Sequence, residues 1–330
     1  MDQEINVYAP IIIPTLNRIE HFKRCVESLA KCTLANKTEL IIALDYPPSE
    51  KYVDGWKKIC DYLPTITGFG KVTIIKHDSN LGAVKNALDL MEFARSYYDC
   101  FIFTEDDNEF APNFLEYINW GLKKYKDDDS IFAICGFKEI PTDDIQNNVY
   151  KLNRIFSAWG YGTWYNRIDK LNKFYDHEII KKIINEASIF DAFSRKVSKL
   201  SSLTYQLAKK TFFGDMMVSL LPTDEKWCIF PSINKVRNWG WDGSGLHGGS
   251  PELIKKYSAM YIDENIHFEP VIVEDLYNPI VFDRFKKQYK VSTKSYLRSS
   301  ITFLCYKLTG YIPVANKESK WCKVKLQKVH

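Results

Sequence analysis

The sequence predicts an α/β fold, with a mostly parallel, Rossmann-like sheet flanked by helices and a C-terminal helical extension. Strand-like and helix-like segments alternate along residues 10–136, and this alternation is typical of βαβ units. The strand-like segments are short apolar runs, as expected for buried strands. A chain of 330 residues, 45% of them hydrophobic, can also bury the large core that such a fold requires.

The first half of the chain predicts five strands alternating with four helices. Apolar residues such as Phe22 and Val26 recur at helical spacing in the first helix. The second half is less regular: it shows a helical pattern over 179–208 and a strand with a glycine-rich loop over 229–249. The predicted strands of the first half are 11–13, 39–44, 71–76, 99–104 and 131–136, and the helices are 18–32, 51–63, 81–97 and 112–126.

Charge is unevenly spread along the chain, although the net charge is only +4. From Lys286 to the end there are eleven Lys or Arg and one acid, Glu318, whereas the preceding residues hold 34 basic and 40 acidic groups. A basic tail on an acidic body favours an anionic partner, such as a membrane surface. The alternative is a solvated helix packed on the body. Nucleic acid is not expected, because the rest of the chain has no matching basic stripe.

The cysteines and the N-terminus favour a cytoplasmic protein. None of the eight cysteines forms a C-x-x-C pair, so we expect reduced thiols. The chain starts Met-Asp-Gln-Glu, without the basic and apolar regions of a signal peptide. The most apolar stretch, 301–314, is too short to span a bilayer.

Three acidic residues, Glu105, Asp106 and Asp107, directly follow the fourth strand. Clustered carboxylates repel each other and raise each other's pKa. A divalent cation bound between them removes the free-energy cost of this repulsion. Mg²⁺ and Mn²⁺ prefer oxygen ligands and often bridge a carboxylate to substrate phosphates. The alternative is a polar turn before the next helix, whose N-terminus also favours acids.

Polar residues also follow the other strands of the predicted sheet. Ligands gather beyond the carboxyl ends of parallel strands, so these residues are expected to converge on one edge. An ordinary helix cap is the alternative for each. No G-x-G-x-x-G or P-loop motif is present, which argues against dinucleotide oxidoreductases and P-loop NTPases. The residues are Thr15 and Arg18 after the first strand, Asp45 after the second, and Asn80, Gly82, Lys85 and Asn86 after the third.

The second half contains further candidate site residues. Asp215 follows an apolar pair, and a carboxylate beside apolar side chains can act as a base, although a helix cap is the simpler interpretation. Tryptophans and glycines at 239–249 suggest a shaped loop over a sugar. Its candidate residues are Trp159, Trp239, Trp241, Asp242 and His247.

Taken in order, IIIPTLNR, LIIALD, NLGAVKN and FTEDD resemble the nucleotide-sugar-binding half of GT-A glycosyltransferases. The closest resemblance is to the bacterial glycosyltransferase family 2 enzymes that build capsules and lipopolysaccharide. The EDD motif also resembles that of the Golgi N-acetylglucosaminyltransferase of complex N-glycan synthesis. The segments SAWGYGTW, GDMMVS and IFPSINKVRNWG occur in the same order as in that enzyme.

The resemblance implies a role for each motif residue. Asp107 would ligate Mn²⁺ or Mg²⁺, and His247 would lie near the metal and the diphosphate. Asp215 would be the catalytic base, although the family often has an acid where Gly214 precedes it here. A nucleotide-contacting histidine of the Golgi enzyme is replaced by Ala83. The donor would be bordered by Thr15, Arg18, Asp45, Asn80, Gly82, Lys85, Asn86, Glu105 and Asp106, and the acceptor by Trp159, Trp239, Trp241 and Asp242.

The resemblance therefore implies an inverting transferase that moves a sugar from a UDP-sugar to a glycan or lipid-linked acceptor. Residues 1–137 would bind the donor, 138–285 would bind the acceptor and carry the base, and 286–330 would form a basic C-terminal extension. The contact of this extension with the inner face of the membrane is a separate hypothesis that rests on its basic and aromatic residues, and a solvated helix packed on the body is the alternative. The alternatives are a retaining transferase of the same fold, a nucleotidyltransferase, which would want a glycine-rich basic loop after the first strand, and a non-catalytic glycan-binding or scaffold protein.

Overall fold

The computed structural model describes residues 8–140, 142, 146–153, 155–172, 177–193, 200, 201, 203, 204, 226–245, 249–273, 275–288, 293–315 and 324–328. The chain divides into two compact units. The first comprises Met1–Arg167 with Asp224–Phe282, and the second comprises Ile168–Thr223 with Asp283–His330.

The described residues of the first unit form ten strands, and eight of them make one sheet in the order β3-β2-β1-β4-β8-β6-β9-β7. The other two form a short antiparallel ladder that pairs β5 with β10. The strands are β1 (Ile11–Thr15), β2 (Glu39–Leu44), β3 (Lys71–Lys76), β4 (Cys100–Phe103), β5 (Asn108–Phe110), β6 (Ile131–Cys135), β7 (Val149–Asn153), β8 (Tyr161–Trp164), β9 (Trp227–Pro231) and β10 (Val236–Asn238).

The large sheet is mixed but mainly unidirectional among the described residues. β1, β2, β3 and β4 are parallel neighbours. β8 is antiparallel to both β4 and β6, so β6 runs in the same direction as β4. β9 is parallel to β6, and β7 closes the far edge in the opposite direction. The predicted α/β architecture is confirmed.

Helices cover both faces of the sheet. Ile11 and Ile13 of β1 belong to one apolar cluster with Phe22 of α1 and Phe114 of α4. α3 packs against β1 and β2 without entering that cluster, as expected when alternate strand residues point to opposite faces. The helices whose bounds lie within the described residues are α1 (Ile19–Ala30), α2 (Val53–Tyr62), α3 (Ala83–Arg95), α4 (Phe114–Lys124), α5 (Tyr165–Asn172), α6 (His177–Glu186), α7 (Pro251–Ser258), α8 (Pro279–Gln288) and α9 (Thr293–Thr309).

The antiparallel ladder of β5 and β10 carries a distant segment to the acidic motif. β5 begins at Asn108, directly after Asp107, and Asn108 is in register with Asn238 at the end of β10. The loop that follows β10 therefore starts beside the acidic residues. The sequence analysis did not predict β5, because three residues are too few to show a strand period.

Several predicted elements differ from the structure in extent. The predicted helix at 179–208 is interrupted, because α6 ends at Glu186 and is followed by a 3-10 helix at Ile189–Phe193. Residues 200, 201, 203 and 204 are helical as predicted, and positions 194–199, 202 and 205–208 lie outside the described residues. The carboxylate of Asp191 accepts a hydrogen bond from the backbone N–H of Ser188 at 2.9 Å, and this local bond competes with helix continuation. β7 and β8 were also unpredicted.

The second unit contains a helical extension and a strand pair. α9 ends at Thr309 and is followed by Gly310, whose φ of 74° is the left-handed conformation that glycine adopts after helix ends. β11 (Tyr311–Ala315) then pairs antiparallel with β12 (Val324–Lys328). No helix among the described residues is long and apolar enough to cross a membrane. The described cysteines are all free thiols.

Candidate functional site

The polar residues that follow β1, β2 and β4 meet at the carboxyl edge of the sheet, within the first unit. The backbone N–H of Asp45, after β2, donates to the carbonyl of Thr15 at 3.0 Å. The hydroxyl of Thr15 donates to Oδ2 of Asp106, after β4, at 2.8 Å. Three strand ends are thus linked by two hydrogen bonds, because parallel neighbours end at one edge.

Arg18 joins both aspartates of the acidic motif. Its Nη1 lies 2.9 Å from Oδ2 of Asp107, and its Nη2 pairs with Oδ1 of Asp106. Arg18 is the residue before α1, so its guanidinium reaches back over the sheet edge. The planar, five-donor guanidinium suits two carboxylates better than the point charge of a lysine would.

Burial and charge act in opposite directions on this cluster. Burial raises the pKa of Asp106, and the Asp107 charge adds to that effect, while the Arg18 guanidinium and the Thr15 hydroxyl oppose it. Burial opposes the charged form of Arg18, but the two carboxylates raise its pKa above the ordinary value. The cluster is consequently a mutually dependent set of charges, since each is costly to bury without the others.

Asp107 is further enclosed by the loop after β10. The side-chain N–H of Asn238 donates to Oδ1 of Asp107 at 2.7 Å, and the backbone N–H of Trp239 donates to its carbonyl at 2.9 Å. A β-carbon on Gly240 would lie 2.1 Å from Oδ2 of Asp107, so only glycine fits there. One on Gly245 would lie 3.3 Å from Nη1 of Arg18. The loop therefore packs directly on the charged cluster.

Glu105 is placed differently from the two aspartates. It is exposed, and its carbonyl accepts hydrogen bonds from the Thr104 hydroxyl at 2.9 Å and the Cys25 thiol at 3.6 Å. The three acids of the motif therefore separate into a buried pair and one exposed member.

The oxygen donors of this cluster fit a cation that is shared with a ligand. Among the described residues, no group of three or more His, Cys, Asp or Glu could hold a metal. Mg²⁺, however, is often held by one or two carboxylates together with substrate phosphates. Oδ2 of Asp107, which pairs with Arg18, is the oxygen that could serve in this way.

Asp45 anchors the loop that precedes α3. Its Oδ1 accepts from the backbone N–H of Leu81 at 2.8 Å and of Tyr46 at 2.9 Å. Its Oδ2 accepts from the N–H of Gly82 at 2.9 Å and the amide of Asn80 at 3.1 Å. The two oxygens have about four acceptor sites in all, so loop contacts occupy the whole carboxylate. Gly82 has a φ of 78°, and this turn aims the N–H groups at Asp45.

Lys85 and Asn86 point in different directions at the start of α3. Lys85 is exposed on the first turn. Asn86 is buried, where its amide donates to the carbonyl of Ala43 at 3.2 Å and its oxygen lies 3.1 Å from Nε2 of His77. Asn86 therefore joins α3 to β2 within the protein interior.

Two of the three predicted loop tryptophans form an aromatic cluster with Tyr257. Trp241 stacks on Tyr257 with ring centroids 5.1 Å apart, and Trp159 lies edge-on to Trp241 at 6.3 Å. Nε1 of Trp241 is buried and has no hydrogen-bond partner among the described residues. We name Trp159, Trp241 and Tyr257 the aromatic cluster.

Trp239 lies apart from that cluster. Its ring lies under the guanidinium of Arg24, 4.3 Å from the centroid, and near that of Arg237 at 5.3 Å. Its indole N–H donates to Glu109 at 2.7 Å. The ring and its polar atom are thus engaged by protein groups.

Asp242 ties the loop to α1. Its Oδ2 lies 2.8 Å from Nε2 of His21, and its Oδ1 accepts from the Ser244 hydroxyl at 2.6 Å. Burial opposes ionisation of Asp242, but the hydrogen bonds from Ser244 and the His21 contact lower its pKa to about 2. α1 therefore contacts the loop through His21 and through Arg24, which lies over Trp239, and Arg18, the residue before α1, lies close to Gly245.

Asp215 and His247 lie outside the residues that the structure describes. Sequence reasoning also missed His21, Asn238, Gly240, Ser244 and Tyr257. His21 could have been found from its spacing of three from Arg18, and Asn238 and Gly240 flank the tryptophan that the sequence analysis singled out.

Residues 11–197, more than half of the chain, match the family model described as glycosyl transferase family 2. No curated protein matches the sequence.

Solved structures with a detectable likeness include a mannosyltransferase from Pyrobaculum calidifontis in complex with GDP-Man and Mn²⁺. Its identity is 14% and its TM-score 0.34, over 52% of this chain and 50% of that one. Residues 1–349 of TarS from S. aureus, in complex with UDP, are 12% identical to this chain with a TM-score of 0.37. That match covers 51% of this chain and 49% of the TarS chain. The chain therefore spans about half the length of each.

Proposed function

This chain belongs to glycosyl transferase family 2 and has a GT-A fold, and on that premise we propose that it moves a sugar from a UDP-sugar to an acceptor hydroxyl with inversion. The observation that carries the proposal is the Arg18–Asp106–Asp107 cluster at the carboxyl edge of the sheet, within the residues that match the family. A guanidinium beside carboxylates is suited to a diphosphate whose charge is shared with a cation.

The donor would lie across the linked ends of β1, β2 and β4. Arg18 would turn part of its guanidinium from Asp107 to the diphosphate, and Asp107 would then hold Mn²⁺ or Mg²⁺ with the phosphate oxygens. A divalent metal bound there supplies charge stabilisation to the leaving diphosphate. Thr15 and Asp106 would keep Arg18 oriented, and the Asp45 turn with Asn80, Gly82 and Lys85 would border the nucleoside.

The proposed base is Asp215. It would take the proton from the acceptor hydroxyl as that oxygen attacks the anomeric carbon and the bond from that carbon to the UDP oxygen breaks. A single displacement inverts the anomeric centre. His247 would lie near the metal and the diphosphate.

The aromatic cluster supports a sugar-binding role for the loop after β10. The indole rings of Trp241 and Trp159 are apolar surfaces of the kind that packs against sugar rings, and Nε1 of Trp241 is a buried donor with no hydrogen-bond partner among the described residues. Trp239 and Asp242 would shape the loop through their contacts with Glu109 and His21.

We further propose a cytoplasmic enzyme of bacterial surface polysaccharide synthesis, with a glycan or lipid-linked acceptor. Free thiols suit a reducing compartment, and the basic tail suits the inner face of the membrane. The competing candidates are a retaining transferase of the same fold and a non-catalytic glycan-binding protein.

Calorimetric titration with UDP tests the donor and the metal together. We expect manganese-dependent UDP binding by the wild type that Asp107→Asn loses and Asp99→Asn retains. Asp99 is a matched control because it is exposed and lies at the opposite end of β4. UDP binding that is absent with and without manganese contradicts the proposed donor.

Steady-state kinetics with a UDP-sugar tests the base. Asp215→Asn should lower kcat by roughly 100-fold or more while leaving UDP affinity within about twofold, because general base catalysis acts in the transition state. A near-normal kcat would refute the assignment of Asp215. The anomeric configuration of the product separates inversion from retention.

A further inference from the structure

The second unit exposes large apolar side chains on two neighbouring elements. On the 3-10 helix at Ile189–Phe193, Phe190 is 82% exposed, Phe193 69% and Ile189 45%. On α9, Leu297 is 55% exposed and Ile301 58%. We name these five residues the apolar patch. Exposed phenylalanines of this extent need an explanation, since clustered surface apolar groups mark interaction sites.

The two elements of the patch are held together by buried contacts. The hydroxyl of Ser300 in α9 donates to the carbonyl of Ala192 at 2.7 Å, and both residues are buried. Leu297 and Ile301 flank Ser300 along the helix. The apolar side chains of both elements therefore border one fixed junction.

α9 is apolar on two sides. Phe303 is fully buried on one side. On the other, Leu297, Ile301 and Leu308 follow one another at spacings of four and seven, which places them on one exposed stripe. A helix that is apolar on both sides is typically covered on both.

The charges beside the stripe are positive. α9 contains Lys294, Arg298 and Lys307 and no acidic residue. Lys294 and Arg298 are exposed, whereas Lys307 donates to the carbonyl of Ile184 at 3.0 Å. The 3-10 helix itself contains one acid, Asp191, whose carboxylate accepts a hydrogen bond from the backbone N–H of Ser188. Exposed aromatic and aliphatic side chains edged by basic ones fit an anionic lipid interface.

We propose that the apolar patch rests in the headgroup region of an anionic lipid bilayer, with Phe190 and Phe193 inserted and Lys294 and Arg298 on the lipid phosphates. The charges favour this surface over a second copy of the chain, because lipid phosphates supply negative charge to Lys294 and Arg298, whereas an isologous contact would bring two copies of the same basic edge into one interface. The proposal assigns the membrane contact to specific residues of α9 and the 3-10 helix, and it does not depend on the identity of the donor.

Co-sedimentation of the full chain with vesicles tests the proposal. We expect binding to phosphatidylcholine vesicles that contain phosphatidylglycerol and little binding to phosphatidylcholine alone. The Phe190→Ser, Phe193→Ser double variant should lose roughly tenfold or more in vesicle affinity, because two large apolar groups no longer leave water. Lys294→Gln with Arg298→Gln should weaken binding and reduce its salt dependence.

Tyr97→Ser serves as the matched control, because Tyr97 is 70% exposed in the first unit, and we expect its vesicle binding to be unchanged. UDP titration of each variant shows that the first unit is folded, and circular dichroism monitors the whole chain. The proposal is overturned if the wild-type protein does not bind anionic vesicles. It is also overturned if the Phe190→Ser, Phe193→Ser variant binds them with wild-type affinity. A lipid-independent dimer that the double variant dissociates would assign the patch to a second copy instead.

Discussion

Gly240 packs so closely on Asp107 that a β-carbon would lie 2.1 Å from the carboxylate Oδ2. The contact belongs to the loop after β10, whose first turn is bonded to Asp107 by Asn238 and Trp239. The acidic motif and this loop, more than 130 residues apart in sequence, therefore form one packed unit.

Gly240→Ala is expected to displace either the loop or the Asp107 carboxylate. Manganese-dependent UDP affinity should fall by about tenfold or more, since a misplaced ligand group loses most of its function. Calorimetry measures the change. Gly243→Asn is the control, because a β-carbon at Gly243 meets nothing within 4 Å and asparagine tolerates its positive φ. Equal losses in the two variants would contradict the packing argument.

Arg18→Ala should destabilise the first unit. Asp106 and Asp107 would be left as buried like charges, and removing one partner of a buried ion pair costs about 3 kcal/mol. Urea unfolding measures the change in free energy of unfolding. Adding Asp106→Asn to Arg18→Ala should recover part of the loss, because one uncompensated charge is then removed. Strictly additive losses would show that the cluster is not coupled.

Asp45→Asn should loosen the turn before α3. An amide nitrogen would replace one of the two oxygens that accept the backbone N–H groups of Leu81 and Gly82, and an unsatisfied buried donor costs about 1–3 kcal/mol. Urea unfolding should show the loss, and hydrogen exchange should show faster exchange at both amides. Asp78 is exposed in the same loop, and Asp78→Asn should leave the free energy of unfolding and the exchange rates of the two amides unchanged.

The hydrogen bonds that Asp242 accepts from Ser244, together with its contact with His21, should make loop stability depend on pH in the acid range. The pKa of Asp242 is lowered from 3.8 to about 2 in the folded chain, so its stabilising effect is fully present above the unfolded value and is lost as pH falls towards 2. Asp242 is 40% exposed, so solvent screening keeps this effect below about 1 kcal/mol.

The measurement is the difference in unfolding free energy between the wild type and Asp242→Asn at several pH values. We expect a constant difference above about pH 4, narrowing below it as the wild-type carboxylate takes up a proton. If the difference in unfolding free energy between the two proteins increases as the pH falls, the carboxylate of Asp242 does not stabilise the loop in this way.

The sheet, and the convergence of polar residues at one of its edges, could be predicted because local sequence patterns encode both. Apolar runs identified β1 to β4 and β6, and the rule for parallel strands placed Thr15, Asp45 and Asp106 together. The insertion of antiparallel β8 between β4 and β6 could not be predicted, because strand order depends on long-range packing that a four-residue strand does not show. The same holds for the ladder of β5 and β10.

The sequence predicts which residues lie near the site better than it predicts which contacts each of them makes there. Trp239 and Trp241 are two residues apart, yet one is engaged by Glu109 and two arginines and the other joins the aromatic cluster. Asn86 belongs to the predicted motif but lies beneath the site. The direction in which each side chain points determines its contacts. In a loop this direction cannot be predicted from the sequence, because loop residues have no regular period.

The pairing of Arg18 with two aspartates also determines what an approaching ion meets. The Arg18 side chain is 18% exposed, whereas those of Asp106 and Asp107 are 7% and 9% exposed. Of these three charges, the one most open to water is positive, although carboxylates outnumber it. The carboxylate of Glu105, in the same motif, is exposed as well. A molecule that arrives from solution therefore meets one guanidinium and one carboxylate before it reaches the two buried aspartates, and dissolved salt screens both of these exposed charges.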